Sequence, residues 1–402
     1  MTYPRTDLPT IGKEKEPGFQ SPGNPGKLPN GWRWVKLGEV CEFAYGASLT
    51  EVARRDGSVS VYGSNGVVGM HDSPLTAGPT IVIGRKGSVG AVHYSATPCF
   101  PIDTTFYIET TKLPADLQWL AYILSLLGLP ELNKASGVPG LNRNDAYRLS
   151  LPLPSLAEQK RIAAILHEQM AAVARARKAA EERLAAVKAL PDAAYREAFS
   201  SDQIRSWDLK TVEDIASLVT DGPHVTPTYL PDGVPFVTVT NIQTGRLDFK
   251  SISYISIEDH NRYASRAQAE PGDILYSKDG TLGIPCVVDT DRPFSFFVSV
   301  ALVKLRRHLA DPYFVAHVMA SPFGRKQVER LGAGAGLKHM VLKSIRALRI
   351  PCPPISEQRR IAAILNEQMA MVARARKAAE EELETINTLP AALLRTAFAG
   401  EL

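Results

Sequence analysis

The side chains suited to chemistry fall into a few glycine-bracketed loops. Gly84-Arg85-Lys86-Gly87-Ser88 sets two cations between glycines, and Ser277-Lys278-Asp279-Gly280-Thr281 repeats the design with one. Val61-Tyr62-Gly63-Ser64-Asn65-Gly66 joins an Asn-Gly turn to small polar groups and an aromatic. Glycines let backbone N–H groups and cations approach a phosphate closely, so these loops suit contact with a polyanion. Tyr62, Ser64, Asn65, Arg85, Lys86 and Ser88 are the expected contacts in the first half of the chain. Their counterparts are His224, Lys278, Asp279, Thr281, Lys338 and His339, the last two following the run Gly332–Gly336.

Catalytic patterns are missing from the same inventory. No G-x-x-x-x-G-K-[ST] loop is present to cradle a nucleotide, and the spacing around Arg85 does not build one. Asp311-Pro312-Tyr313-Phe314 superficially resembles the D-P-P-Y motif of amino-methyltransferases. It departs at the third position, lacks a glycine-rich cofactor loop before it, and reads better as an Asp-Pro helix start. The eight histidines form no metal-ligand spacing, and Cys41, Cys99, Cys286 and Cys352 lie far apart. The chain is expected to have no catalytic centre, metal or cofactor of its own, and reduced thiols point to a cytoplasmic setting.

The elements that position these loops are written twice. Leu151–Phe199 returns as Ile350–Phe398 in constant register, with roughly 31 of 49 aligned positions identical. Each copy reads as one long helix, the first opened by a Ser155/Glu158 capping box, the second by Pro354, and each ended or kinked at Pro191 or Pro390. Leu166, Met170, Val173, Arg177, Ala180, Leu184 and Val187 alternate at spacings of four and three, as do Leu365, Met369, Val372, Arg376, Ala379, Leu383 and Ile386. That spacing makes a coiled-coil seam. One arginine per copy is expected to be buried in it, and the two rods of about 33 residues, roughly 50 Å each, are expected to pair antiparallel.

Before and between the rods, 28–150 and 201–349 have similar lengths and different sequences. Strands are expected at Ser58–Tyr62, Thr80–Ile83 and Thr105–Ile108, then a helix at Leu117–Leu127. In the second segment they are expected at Pro235–Val239, Asp273–Tyr276 and Phe296–Leu305, then a helix at about Pro312–Leu331. Ile81–Gly90 matches Ile274–Gly283, and Trp34–Val40 loosely matches Leu209–Ile215. The fold class is therefore α+β: two mixed α/β domains, each followed by a long helix, in a pseudo-twofold internal repeat. The expected boundaries are 1–27 disordered leader, 28–153 first domain, 154–200 helix, 201–352 second domain and 353–402 helix.

With 402 residues, 45% hydrophobic and 22% charged, the chain has the make-up of a globular protein, with no apolar run long enough for a transmembrane helix. A net charge of +4 permits a polyanion partner without requiring one. The first variable segment holds roughly ten acidic and ten basic residues, so its positive charge has to concentrate on one face.

These features resemble the specificity subunit of type I restriction–modification systems. The resemblance rests on Leu28-Pro29-Asn30-Gly31-Trp32 with Lys36–Val40, on the two glycine loops, and on Glu158-Gln159-Lys160-Arg161-Ile162, repeated as Glu357-Gln358-Arg359-Arg360-Ile361. Ser206–Ile215 lacks the Leu-Pro of that entry. The family implies a non-catalytic reader of double-stranded DNA, with two target-recognition domains addressing a bipartite target and spacer helices recruiting two modification subunits. S-adenosylmethionine, ATP and Mg would belong to the partner subunits, restriction subunits among them where present. The rival reading from the residues is a coiled-coil scaffold whose two domains bind proteins.

Overall fold

The structure is a computed structural model, and it describes residues 28–133, 140–332 and 339–402. The expected leader, 1–27, lies outside the described residues, as does Lys338. The chain divides into two compact units, residues 1–181 with 381–402, and residues 182–380.

In the first unit, Arg33–Lys36 pairs antiparallel with Ser150–Leu153 and so ties the two ends of the first variable segment together. A four-stranded antiparallel sheet runs in the order Ala44–Tyr45, Thr105–Ile108, Thr80–Gly84, Val92–Ser95. Beside it lies a three-stranded sheet of Gly66–His71, Val59–Gly63 and Cys99–Pro101, the last pair parallel. Ile81, Ile83, Phe106 and Ile108 of the larger sheet share one buried cluster with Trp119, Leu120 and Leu124 of the helix Leu117–Leu124.

The second unit repeats this plan. Asp208–Thr211 pairs antiparallel with Arg349–Cys352. The larger sheet runs Ala216–Asp221, Val300–Leu305, Ile274–Ser277, Pro285–Val287, and the smaller is Ser253–Ile255, Val234–Val237, Ser295–Phe296, again with its last pair parallel. The duplication read from the helices therefore extends through both variable segments.

Several expectations need correction. The expected strand Phe296–Leu305 is two strands, Ser295–Phe296 and Val300–Leu305. The expected helix Pro312–Leu331 is two, Pro312–Ala320 and Pro322–Gly332, because Ser321 turns extended. The Ser321 hydroxyl accepts from the Gly324 N–H at 3.3 Å and starts the second helix at its proline.

The long helices run Leu156–Ala198 and Ile355–Ala399, 43 and 45 residues, roughly 65 Å each at 1.5 Å per residue. Pro191 and Pro390 lie inside them and end neither. A proline costs an interior helix one backbone hydrogen bond, and the burial of Tyr195 and Phe199, or of Leu394 and Phe398, holds the turns beyond it. The capping box is half formed: Ser155 Oγ accepts from the Glu158 N–H at 3.3 Å, but the Glu158 carboxylate takes a two-point contact from Arg161 at 2.7 and 2.8 Å.

The helices pair antiparallel within each unit. Ile162, Leu166 and Met170 share a core with Leu394, Ala397 and Phe398, and Trp119 meets Phe398 edge-on at 6.0 Å. Arg161 Nη2 donates to the Leu402 carbonyl at 2.8 Å, so the start of one helix lies at the end of the other. In the second unit, Tyr195 and Phe199 share a core with Ile361 and Leu365. Leu166, Met170 and Leu365 are buried; Val173, Leu184, Val187, Met369, Val372, Leu383 and Ile386 are half-buried. The expectation of a buried arginine in each seam is wrong. Arg177 and Arg376 are exposed and pair with Glu181 and Glu380 one turn on, while Ala180 and Ala379 take the buried positions.

Candidate nucleic-acid interface

In the first unit the loop after Thr80–Gly84 is shaped by Gly87 and Gly90, both at φ +77°, where a side chain would be strained. Arg85 and Lys86 both donate their backbone N–H to the Thr104 carbonyl, at 2.9 and 3.1 Å. Those N–H groups are spent within the fold, which corrects the expectation that they face a phosphate. Lys86 and Ser88 are exposed. The Ser64-Asn65 turn is adjacent: a Cβ on Gly87 would stand 3.2 Å from Ser64 Oγ, and Asn65 is exposed. Ser64, Asn65, Arg85, Lys86 and Ser88 thus gather at one end of the two sheets. Tyr62 does not join them, since its side chain is buried in the smaller sheet 6.2 Å from the His93 ring.

Arg85 leans away from solvent. Its guanidinium lies 5.3 Å from the Tyr45 ring and 5.9 Å from Phe106, and its Nη2 donates to the Asp103 carbonyl at 2.6 Å. Arg143, from the short helix Arg143–Tyr147, stands 5.2 Å from the same tyrosine. Tyr45 and Arg143 escaped the sequence reading because nothing in the residue order relates either to the loop of Arg85.

The second unit treats the equivalent loop differently. Gly280 and Gly283 repeat the positive φ, and the Met340 N–H donates to the Lys278 carbonyl as the Leu141 N–H donates to that of Arg85. Lys278, however, is only 2% exposed, with Nζ 3.5 Å from both Asp221 and Asp279. The expectation of Lys278 as a solvent-facing contact is therefore overturned, because two carboxylates hold it inside. Asp279 is likewise engaged, pairing with the His339 ring through a short contact. Thr281 and His339 are exposed.

Asp221 also receives His224 and Arg266, each at 3.6 Å. It lines a cleft of about 390 Å³ with His224, Arg262, Tyr263, Arg266 and Phe296. His224 is the one residue of this group that the sequence indicated, and it is exposed at the rim.

One glutamine joins each variable domain to its helix. Gln159, fully buried, accepts from the Asp116 N–H at 2.9 Å and donates to the carbonyls of Pro114 and Pro154. Gln358 accepts from the Asp311 N–H at 2.9 Å and donates to those of Leu309 and Pro353. Asp116 and Asp311 in turn cap the domain helices, Asp311 accepting from Tyr313 and Phe314 at 3.1 Å, as the Asp-Pro start implied. The repeated Glu-Gln was the available signal, and its role was missed.

No group of three His, Cys, Asp or Glu able to hold a metal occurs among the described residues. Burial pushes the Cys41 and Cys286 thiols up to about 12, so neither is a thiolate nucleophile near neutrality. No described helix is long and apolar enough to cross a membrane.

The family model for the type I restriction modification DNA specificity domain matches residues 29–180 and again 205–385, each match holding one domain with most of the helix that follows it. The chain belongs to this family. Among curated relatives of this specificity-subunit family, the type I restriction enzyme EcoBI specificity subunit of Escherichia coli is 24% identical over 348 residues, covering 80% of this chain and 73% of that protein. The MjaVIII specificity subunit of Methanocaldococcus jannaschii is 20% identical over 290 residues, 68% of each chain. A solved structure described as showing complex assembly and conformational transition of the type I R-M system superposes with a TM-score of 0.72 at 20% identity, covering 94% of this chain and all of that one. The HsdS subunit from Thermoanaerobacter tengcongensis gives 0.55 at 20% identity, covering 94% and 99%. These likenesses concern the fold: two recognition domains, each carried on a long helix.

Proposed function

We propose that this chain is the non-catalytic, sequence-reading subunit of a type I restriction–modification assembly. Each recognition domain contacts one half of a bipartite duplex target, and the long helices dock two modification subunits, with restriction subunits where the system has them. S-adenosylmethionine, ATP and Mg are held by those partners. The observation that carries this reading is one fold made twice with different loop chemistry: a loop arginine seated on Tyr45 in the first unit, a loop lysine neutralised by Asp221 in the second. Equal scaffolds with unequal reading surfaces suit a target whose halves differ in sequence.

Exchanging residues 201–349 for the corresponding segment of another family member tests it. Sequencing of methylated sites should show one half of the target changed and the other kept. A hybrid altered in both halves, or an assembled complex with no salt-dependent affinity for duplex DNA, would overturn the reading.

A further inference from the structure

Tyr45 is 53% exposed at the edge of the larger sheet, with its ring 5.0 Å from Phe106. Two permanent positive charges rest on that ring, Arg85 at 5.3 Å and Arg143 at 5.2 Å, delivered by elements far apart in the chain. The two guanidinium carbons are therefore no more than about 10.5 Å apart. Each arginine spends one head-group N–H on a carbonyl, Arg85 on Asp103 at 2.6 Å and Arg143 on Phe43 at 3.5 Å. A guanidinium has five N–H donors, and the described residues take up only one of those on each head group. Arg85 Nε is buried and has no hydrogen-bond partner among the described residues.

Among the described residues, no carboxylate lies within 4 Å of either guanidinium, whereas Arg55, Arg148 and Arg161 of the same unit each have one. The second unit sharpens the contrast. Tyr45 pairs with Phe106, which pairs with Ile83; Asp221 pairs with Ala301, which pairs with Tyr276. Those registers make Asp221 the counterpart of Tyr45, as Lys278 is of Arg85. Where the second unit neutralises its loop cation with a buried acid, the first offers an aromatic ring, which holds cations without cancelling their charge.

We propose that Arg85 and Arg143, seated on Tyr45, form a phosphodiester-binding site that anchors the first recognition domain to the DNA backbone; this deepens the DNA-reading function and rests on it. Two like charges held at one ring add their positive potentials, and a phosphate supplies both the opposite charge and several acceptor lone pairs. A guanine edge offers two acceptors, which one guanidinium already satisfies. The apolar ring and Phe106 keep water from one side of the pair and strengthen its field.

The test uses the chain assembled with its modification subunits, on target and scrambled duplexes across a salt series. Arg143→Ala should weaken binding to both duplexes by the same factor, lower the slope of log affinity against log salt by about one, and leave the methylated sequence unchanged. Arg143→Lys should keep the slope, and Arg143→Gln carries the alanine expectation should that variant not assemble. Tyr45→Leu should weaken both duplexes alike, because the two cations lose their common seat. Unchanged affinity and slope in the neutral variants would overturn the site. So would a loss confined to the target duplex with relaxed preference at one position, the mark of a base contact. A wild-type complex that binds no duplex brings down the DNA-reading function and this site with it, whereas normal wild-type binding with unaltered variants overturns the site alone.

Discussion

Lys278 Nζ lies 3.5 Å from Oδ2 of Asp221, and both side chains are buried. Breaking such a pair strands one charge in a poor solvent and costs about 3–5 kcal/mol. Lys278→Ala should therefore lower the denaturation midpoint of the second unit, with His224 and Arg266 beside Asp221 keeping the loss toward the lower end. Chemical denaturation reads it, and Lys278→Met with Asp221→Asn should recover part of the loss. A Lys278→Ala variant as stable as wild type but weakened on DNA would return this lysine to the role its sequence context suggests.

Gln159 and Gln358, both buried, each accept from the half-buried backbone N–H of the aspartate that caps a domain helix. Replacing either with leucine leaves that half-buried N–H without its protein acceptor, a penalty toward the lower end of about 1–3 kcal/mol. Gln159→Leu should loosen the first unit and Gln358→Leu the second, each read by hydrogen exchange of Leu117–Leu124 or Pro312–Ala320. Equal protection in wild type and variants would show that the glutamines do not hold domain to helix.

Phe398 packs against Trp119 although 279 positions separate them. Truncating a fully buried phenylalanine costs about 3–5 kcal/mol. Phe398→Ala should thus destabilise the first recognition domain rather than the second, with Phe199→Ala doing the reverse through its contact with Phe314 at 5.8 Å. Limited proteolysis that cuts the second domain first in Phe398→Ala would contradict this.

His317 lies between the Tyr195 hydroxyl, 3.2 Å from Nδ1, and Asn366 Oδ1, 2.9 Å from Nε2. A neutral ring donating from Nε2 and accepting at Nδ1 satisfies both neighbours. Burial pushes its pKa below the ordinary 6.5, so below that pH the unfolded chain takes up a proton that the folded one refuses. Its contribution is present in full above pH 6.5 and is lost as pH falls toward the depressed folded value. Unfolding free energy measured at pH 7.5 and 5.5 should fall less in His317→Gln than in wild type; equal falls would refute the assignment.

The paired long helices and the doubled plan were legible in residue order, because helical periodicity and duplication are local or register-bound signals. Even the weak match of Ile81–Gly90 to Ile274–Gly283 located equivalent loops, since glycines at positive φ are demanded by the turn itself. What those loops do with their charges was not legible. Arg85 and Lys278 occupy the same place in one fold, yet one rests on Tyr45 and the other sinks between Asp221 and Asp279. The deciding residues arrive from neighbouring strands and loops, and whether a cation meets a ring or a carboxylate depends on sheet register, which no single segment encodes. The arginines of the seam show the same limit. Spacing put Arg177 and Arg376 on the coiled-coil stripe, but packing gave the buried places to Ala180 and Ala379, because a small side chain lets helices close while a guanidinium keeps its hydration and a glutamate one turn away.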